Sequence, residues 1–123
     1  DFPVKAVKAE KRREKLTVFV LEAGGKFAVK KRPAKGLLAG LWELPNVTGA
    51  LTQKEVSSLF EGEISVLPAA NHIFTHVVWE MTGYFIRLAK TPADDSLVFV
   101  TPQDLAEAYP LPSAFSAYKK YCK

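Results

Sequence analysis

The chain is poor in the residues that soft-metal and redox chemistry use. Its 123 residues include one cysteine, Cys122, one methionine, Met81, and two histidines, His72 and His76. A single cysteine excludes an internal disulfide and a cysteine-based zinc site, and it makes a reducing, intracellular setting the default. No apolar run approaches the ~20 residues a membrane span needs, and no charged-then-apolar signal segment opens the chain. No Gly-x-Ser-x-Gly, Walker or dinucleotide-binding pattern is present. With both histidines flanking one loop, a nucleophile–base–orienter set is hard to assemble. His72 and His76 stand four apart, a metal-binding spacing on a helix, but the residues between them read as strand or loop and include no carboxylate. A metal site is therefore not expected there. The chain begins with Asp1 rather than Met, which suggests a piece of something longer.

What is present is enough for one domain with a real core. Hydrophobic residues make up 48% of the chain and charged residues 24%, well outside the disordered range. The net charge of +4 is unevenly spread. Residues 1–35 hold eleven Lys/Arg against four Asp/Glu, a net of +7, whereas residues 36–123 hold six against nine, a net of −3. A basic N-terminal third suits a polyanion such as nucleic acid.

Residues 1–14, with Pro3 and few large apolar side chains, read as a basic linker or arm, and residues 15–123 as the folded domain. Lys15–Glu22 is rich in β-branched and aromatic residues, and its apolar run marks an interior strand covered on both faces. Ala23-Gly24-Gly25 is a hairpin turn, and Lys26–Arg32 returns as the second strand. The apolar stretch 37–46, broken by Gly40 and Pro45, suits a loop feeding a short strand. Thr52 caps a helix over Gln53–Glu61, with Glu55 as capping-box partner and Gly62 as its stop. Short strands are expected at Ile64–Leu67 and Ala70–Phe74, a long one at Val77–Leu88 and another at Leu97–Val100. Thr101-Pro102 opens a helix, and Ser113 caps a last one over Ala114–Tyr121. Trp42 and Trp79 are expected in the core. The order predicts an α/β (α+β) protein, a mixed β-sheet with flanking helices.

The stretch His72-Ile73-Phe74-Thr75-His76-Val77-Val78-Trp79 concentrates an aromatic, a hydroxyl and both imidazoles at the head of a strand. On residue types alone it suits packing or the reading of a flat, polar ligand.

Gly40-Leu41-Trp42-Glu43-Leu44-Pro45-Asn46 resembles the entry to the Nudix fold, where Gly-x-Trp-x-x-Pro-Gly leads into a catalytic helix. In MutT-like hydrolases that helix carries a clustered Arg-Glu-x-x-Glu-Glu set, because Mg²⁺ on a diphosphate needs several converging carboxylates. The matching helix here offers Glu55 and Glu61, which fall on different faces at ~100° per residue. A Nudix-like fold without a diphosphate hydrolase site is therefore expected.

Two further motifs extend the resemblance. Leu37-Leu38-Ala39-Gly40-Leu41-Trp42-Glu43-Leu44-Pro45 is similar to the Leu-Leu-Ala-x-Leu-Trp-Glu-Phe-Pro of the MutY family of adenine DNA glycosylases, and Phe74-Thr75-His76 to the Phe-Ser-His of their C-terminal domain. Tyr109-Pro110-Leu111-Pro112-Ser113 also fits, and the basic arm resembles the connector to the catalytic domain. Thr75 for Ser and Leu44 for Phe are departures.

The resemblance implies a domain that is not catalytic itself. Its parent would be an A/G-specific adenine DNA glycosylase of base excision repair. It would recognise 8-oxoguanine opposite adenine in duplex DNA, while an N-terminal catalytic domain of the same chain flips and excises the adenine. The implied lesion contacts are Phe74 as wedge, Thr75 as reader and His76 as loop holder or phosphate contact. Lys30, Lys31, Arg32 and Lys35 are candidate phosphate contacts. No cofactor is expected in this domain, and the family's iron–sulfur cluster belongs to the absent catalytic domain, since one cysteine cannot hold it. The implied setting is cytoplasmic, bacterial and nucleoid-associated, with no membrane partner. Two other readings stay open: an active Nudix hydrolase of free nucleotides, and a protein-interaction module without lesion contact.

Overall fold

The computed structural model describes residues 11–123. Seven strands form one mixed sheet: β1 (Arg12–Ala23), β2 (Lys26–Lys31), β3 (Trp42–Glu43), β4 (Asn46–Thr48), β5 (Gly62–Ile73), β6 (Val77–Leu88) and β7 (Val98–Val100). The strand order is β3-β2-β1-β6-β5, with β4 on β1 and β7 on β2. Helices α1 (Gln53–Leu59), α2 (Pro102–Glu107) and α3 (Ser116–Lys119) flank it. The expected α/β mixed sheet is observed.

The frame is the parallel pair β1–β6, in register from Arg12↔Val77 to Glu22↔Arg87. Alternation along β1 feeds two cores. Leu16, Val18 and Val20 join Trp79, Met81, Phe115 and Tyr118 on one face. Phe19 and Leu21 join Tyr84, Ile86 and the Val56 of α1 on the other. Burial on both faces explains why the β1 run lacks simple polar alternation.

Four local expectations are corrected. First, β1 begins at Arg12 rather than Lys15, because its backbone pairs with β6 while the charged side chains of Arg12 and Arg13 stay exposed. The rest of the predicted arm, residues 1–10, lies outside the described residues. Second, the two short strands around Pro68 are one strand, β5, with a register shift between Leu67 and Ala70. This bulge on an edge strand accommodates a proline that cannot donate to the ladder.

Third, α1 keeps its capping box, with Thr52 Oγ1 accepting from Glu55 N and Glu55 Oε1 from Thr52 N. It ends at Leu59, because Phe60 turns extended and packs edge-on against Phe19 at 5.0 Å. Gly62 is therefore not a helix stop. It opens β5 at φ 152°, where a Cβ would stand 2.1 Å from the Arg87 carbonyl oxygen. Fourth, the last helix starts as a 3-10 turn over Ser113–Phe115 with no side-chain cap and continues only to Lys119.

Tyr118 locks this end of the molecule. Its ring lies over Gly83, where a Cβ would meet Cε1 at 2.2 Å, and its hydroxyl donates toward Pro68 O (2.8 Å) and Met81 O (3.3 Å). A glycine inside β6 thus admits an aromatic ring that satisfies the carbonyl freed at the β5 bulge.

Candidate nucleic-acid interface

Phe74-Thr75-His76 is the three-residue loop joining β5 to β6. The loop is closed by Phe74 N–H donating to Val77 O at 2.7 Å. The start of β1 braces it from the side: Arg12 N–H donates to His76 O at 3.1 Å, and Lys11 Nζ to Phe74 O at 2.9 Å. Thr75 and His76 are exposed, whereas Phe74 is half-buried. The Phe74 ring stands edge-on between His72 (4.8 Å) and Trp79 (4.9 Å). The hairpin therefore presents an exposed hydroxyl and an exposed imidazole on a tip whose aromatic member is anchored inward. Lys11 and Arg12, expected in the basic arm, put one ammonium and one backbone N–H against this tip, while the Arg12 guanidinium pairs with Glu14 (Nε–Oε2 3.0 Å). Only the parallel pairing with β6 brings them there, and it leaves no local sequence signal.

Trp79 is buried as expected, 2% exposed. It touches Phe74 on one side and Phe115 at 5.8 Å. Its Nε1 is buried with no hydrogen-bond partner among the described residues. The Arg32 guanidinium lies over its ring at 5.3 Å. That guanidinium is also held by Glu43 (Nη1–Oε1 2.6 Å) and by Leu37 O (Nε–O 2.9 Å). Glu43 is itself 5% exposed and accepts from Asn46 Nδ2 at 2.9 Å. Arg32 is thus turned into the protein by three partners, and its charge is matched by a buried carboxylate. The other expected phosphate contacts differ from it. Lys31 and Lys35 face solvent, and Lys31 Nζ lies 6.0 Å over the ring of Trp42. Lys30 is half-buried near Asp94, whose carboxyl is held low mainly by the Ser96 hydroxyl, then by Ser96 N–H, with a smaller pull from Lys30.

The 37–46 motif explains this arrangement. Leu44 is fully buried, Glu43 pairs with Arg32, and Asn46 Nδ2 ties Glu43 to Leu44 O. Arg32 N–H donates to Leu41 O at 2.8 Å, so the loop between β2 and β3 is folded around Arg32. Within it Leu38 adopts φ 56°, a conformation that a branched side chain takes only when its surroundings enforce it. Trp42, expected in the core, is instead half-buried against Tyr109 at 4.8 Å.

On the opposite side of the sheet, Glu55 is committed to the α1 cap, and among the described residues no three His, Cys, Asp or Glu side chains converge. A cavity of about 140 Å³ is lined by Phe19, Leu21, Phe60 and Leu97 together with Lys30 and Asp94. Among the described residues no helix is long and apolar enough to cross a membrane.

Comparison with known proteins bears on this geometry. A NUDIX domain model matches residues 17–121. The adenine DNA glycosylase of Arabidopsis thaliana is 47% identical over 137 aligned positions, covering 80% of this chain and 22% of that protein. The adenine DNA glycosylase of Homo sapiens is 33% identical over 109, covering 75% and 20%. The chain therefore spans only a fifth or so (22% and 20%) of these relatives' lengths. They are plant and animal proteins, and the expected bacterial setting receives no support from them. Among solved structures, the C-terminal domain of mouse MUTYH, in complex with human PCNA, superposes with TM-score 0.63 at 20% identity, covering 89% of this chain and 88% of that one. The NUDIX domain of Shewanella oneidensis NrtR, complexed with ADP ribose, gives 0.65 at 12%, covering 98% and 96%. At these identities the superpositions speak to the fold. The chain belongs to the NUDIX domain family, as a NUDIX domain that matches the C-terminal region of adenine DNA glycosylases.

Proposed function

We propose that the chain is the lesion-reading domain of an A/G-specific adenine DNA glycosylase, recognising 8-oxoguanine opposite adenine in duplex DNA while an N-terminal catalytic domain of the same parent removes the adenine. The observation that carries this reading is the braced 74–76 tip, with its exposed hydroxyl and imidazole and the Lys11 ammonium against it.

The chemistry suits the lesion. Guanine has an acceptor at N7 and a hydrogen at C8, whereas 8-oxoguanine has a donor at N7 and an acceptor at O8. A hydroxyl both donates and accepts, so Thr75 Oγ1 can meet the reversed pattern. Phe74 would press its exposed edge against the base step while its other side stays on Trp79. His76 would hold the loop or contact a phosphate. Lys30, Lys31 and Lys35 would supply sequence-independent attraction to the backbone, and Arg32 would not, because its charge is already matched. The domain itself performs no bond cleavage in this reading. The Nudix hydrolase alternative lacks a carboxylate cluster on α1, where Glu55 is spent on the cap.

Thr75→Ala tests the reading in the full-length protein. One hydrogen bond at the N7–H/O8 edge contributes about 1–2 kcal/mol, so the preference for A:8-oxoguanine over A:G should fall roughly ten-fold. Thr75→Ser should retain it. An unchanged preference in Thr75→Ala would contradict the assignment.

A further inference from the structure

We propose that Arg32 and Glu43 are positioning residues for the 74–76 tip, acting through Trp79, rather than contacts to DNA. The inference rests on the lesion-reading assignment and adds to it the device that fixes the attitude of the reader.

The geometry forms one unbroken series. Asn46 Nδ2 and Arg32 Nη1 both donate to the same oxygen, Glu43 Oε1, at 2.9 and 2.6 Å. Arg32 then covers the Trp79 ring at 5.3 Å, and Trp79 meets Phe74 edge-on at 4.9 Å. Phe74 is the first residue of the tip. Each member has little freedom: Glu43 and Trp79 are buried, and the Arg32 side chain is 17% exposed. A planar guanidinium suits both tasks, since it stacks on an aromatic face while forking to a carboxylate and a carbonyl, which an ammonium cannot do in the same way. The two motifs, 37–46 and 74–79, are thus parts of one mechanical unit. The first shapes the buried pair, and the pair seats the indole on which the second leans. Lys11 and the Arg12 backbone brace the other side of the loop, so Arg32 governs the aromatic side alone.

Arg32→Lys and Glu43→Gln in the full-length protein test the proposal, by single-turnover adenine excision from A:8-oxoguanine and A:G duplexes across a salt series. Positioning predicts that both variants lose preference by about three- to ten-fold, the range of indirect coupling, with the salt dependence unchanged. In a Thr75→Ala background neither variant should reduce preference further, since both act through the same tip. A phosphate contact predicts the reverse: Arg32→Lys keeps its activity, or both duplexes suffer equally and the log–log salt slope falls by about one. That result would overturn the proposal.

A second measurement is independent of the lesion. Hydrogen exchange of the Phe74 amide, which donates to Val77 O, should be about ten-fold faster in Arg32→Lys, as expected when local opening of the loop becomes easier. Unchanged exchange would overturn the positioning role. If Arg32→Lys or Glu43→Gln fails to fold, Asn46→Ala, which strips one partner from Glu43 and leaves both charges in place, carries the same predictions in weaker form. If Thr75→Ala lowers preference while the Arg32 and Glu43 variants do not, the positioning role falls and the lesion-reading assignment stands. If Thr75→Ala has no effect, the lesion-reading assignment falls, and the exchange measurement alone decides whether Arg32 sets the loop.

Discussion

A single side chain often has a role that its type and neighbours in sequence do not disclose. Arg32 follows Lys30 and Lys31 in a basic run, and composition alone assigns all three to a polyanion. The fold separates them: Lys31 faces solvent, and Arg32 is spent on Glu43, Leu37 O and Trp79. Gly83 is similar. Period-two alternation places it on one face of β6 with Val77, Trp79, Met81 and Phe85, but does not disclose its need to be glycine, because the ring that occupies its space comes from Tyr118 in the last helical segment. Gly83→Ala should therefore destabilise the protein by about 1–3 kcal/mol, the usual cost of overpacking. Tyr118→Phe should cost about 1–2 kcal/mol by leaving Pro68 O and Met81 O without their donor. Denaturant midpoints check both, and a Gly83→Ala protein as stable as the parent would rule out the tight ring contact.

At the scale of elements, what was legible is what local chemistry determines. The β6 bounds, the Gly24-Gly25 turn, the Thr52/Glu55 capping box and the Thr101-Pro102 helix start all depend on residues within one turn or one hairpin of each other. The misplaced boundaries depend on partners far along the chain. The start of β1 is set by β6, the end of α1 by Phe60 on Phe19, and the continuity of β5 past Pro68 by a bulge whose carbonyl Tyr118 satisfies.

The last segment carries a pH signature of its own. Burial pushes the Cys122 thiol up from 9.0 to about 12, against a smaller opposing effect of Lys119. Burial, with a smaller contribution from Tyr121, pushes the Tyr118 hydroxyl up from 10.0 to about 12. In both cases the fold favours the neutral form. The unfolded chain releases these protons near pH 9 to 10, whereas the folded chain keeps them to about pH 12. Their contribution to stability is full below pH 9 and lost as the pH rises toward 12. Urea midpoints should fall between pH 8 and 10.5, and less steeply in Cys122→Ala. An equal decline in Cys122→Ala would remove the thiol from this account.

At the scale of the whole molecule, the proposed function puts a NUDIX sheet to a use that needs no diphosphate chemistry. The α1 helix keeps its place but gives Glu55 to its cap, while the β5–β6 hairpin carries the exposed polar groups. The family-level motifs in the sequence pointed to this hairpin. The supports of the tip, Lys11, Arg12 and the Glu43–Arg32–Trp79 series, became visible only through tertiary pairing. The central claim is that lesion preference resides in this domain and excision elsewhere in the parent. It is tested most directly by single-turnover adenine excision from A:8-oxoguanine and A:G duplexes, comparing the full-length protein with one lacking the 123-residue segment. The account predicts that the truncated protein still excises adenine but loses most of its preference for the 8-oxoguanine duplex. A truncated protein with the full preference would contradict it.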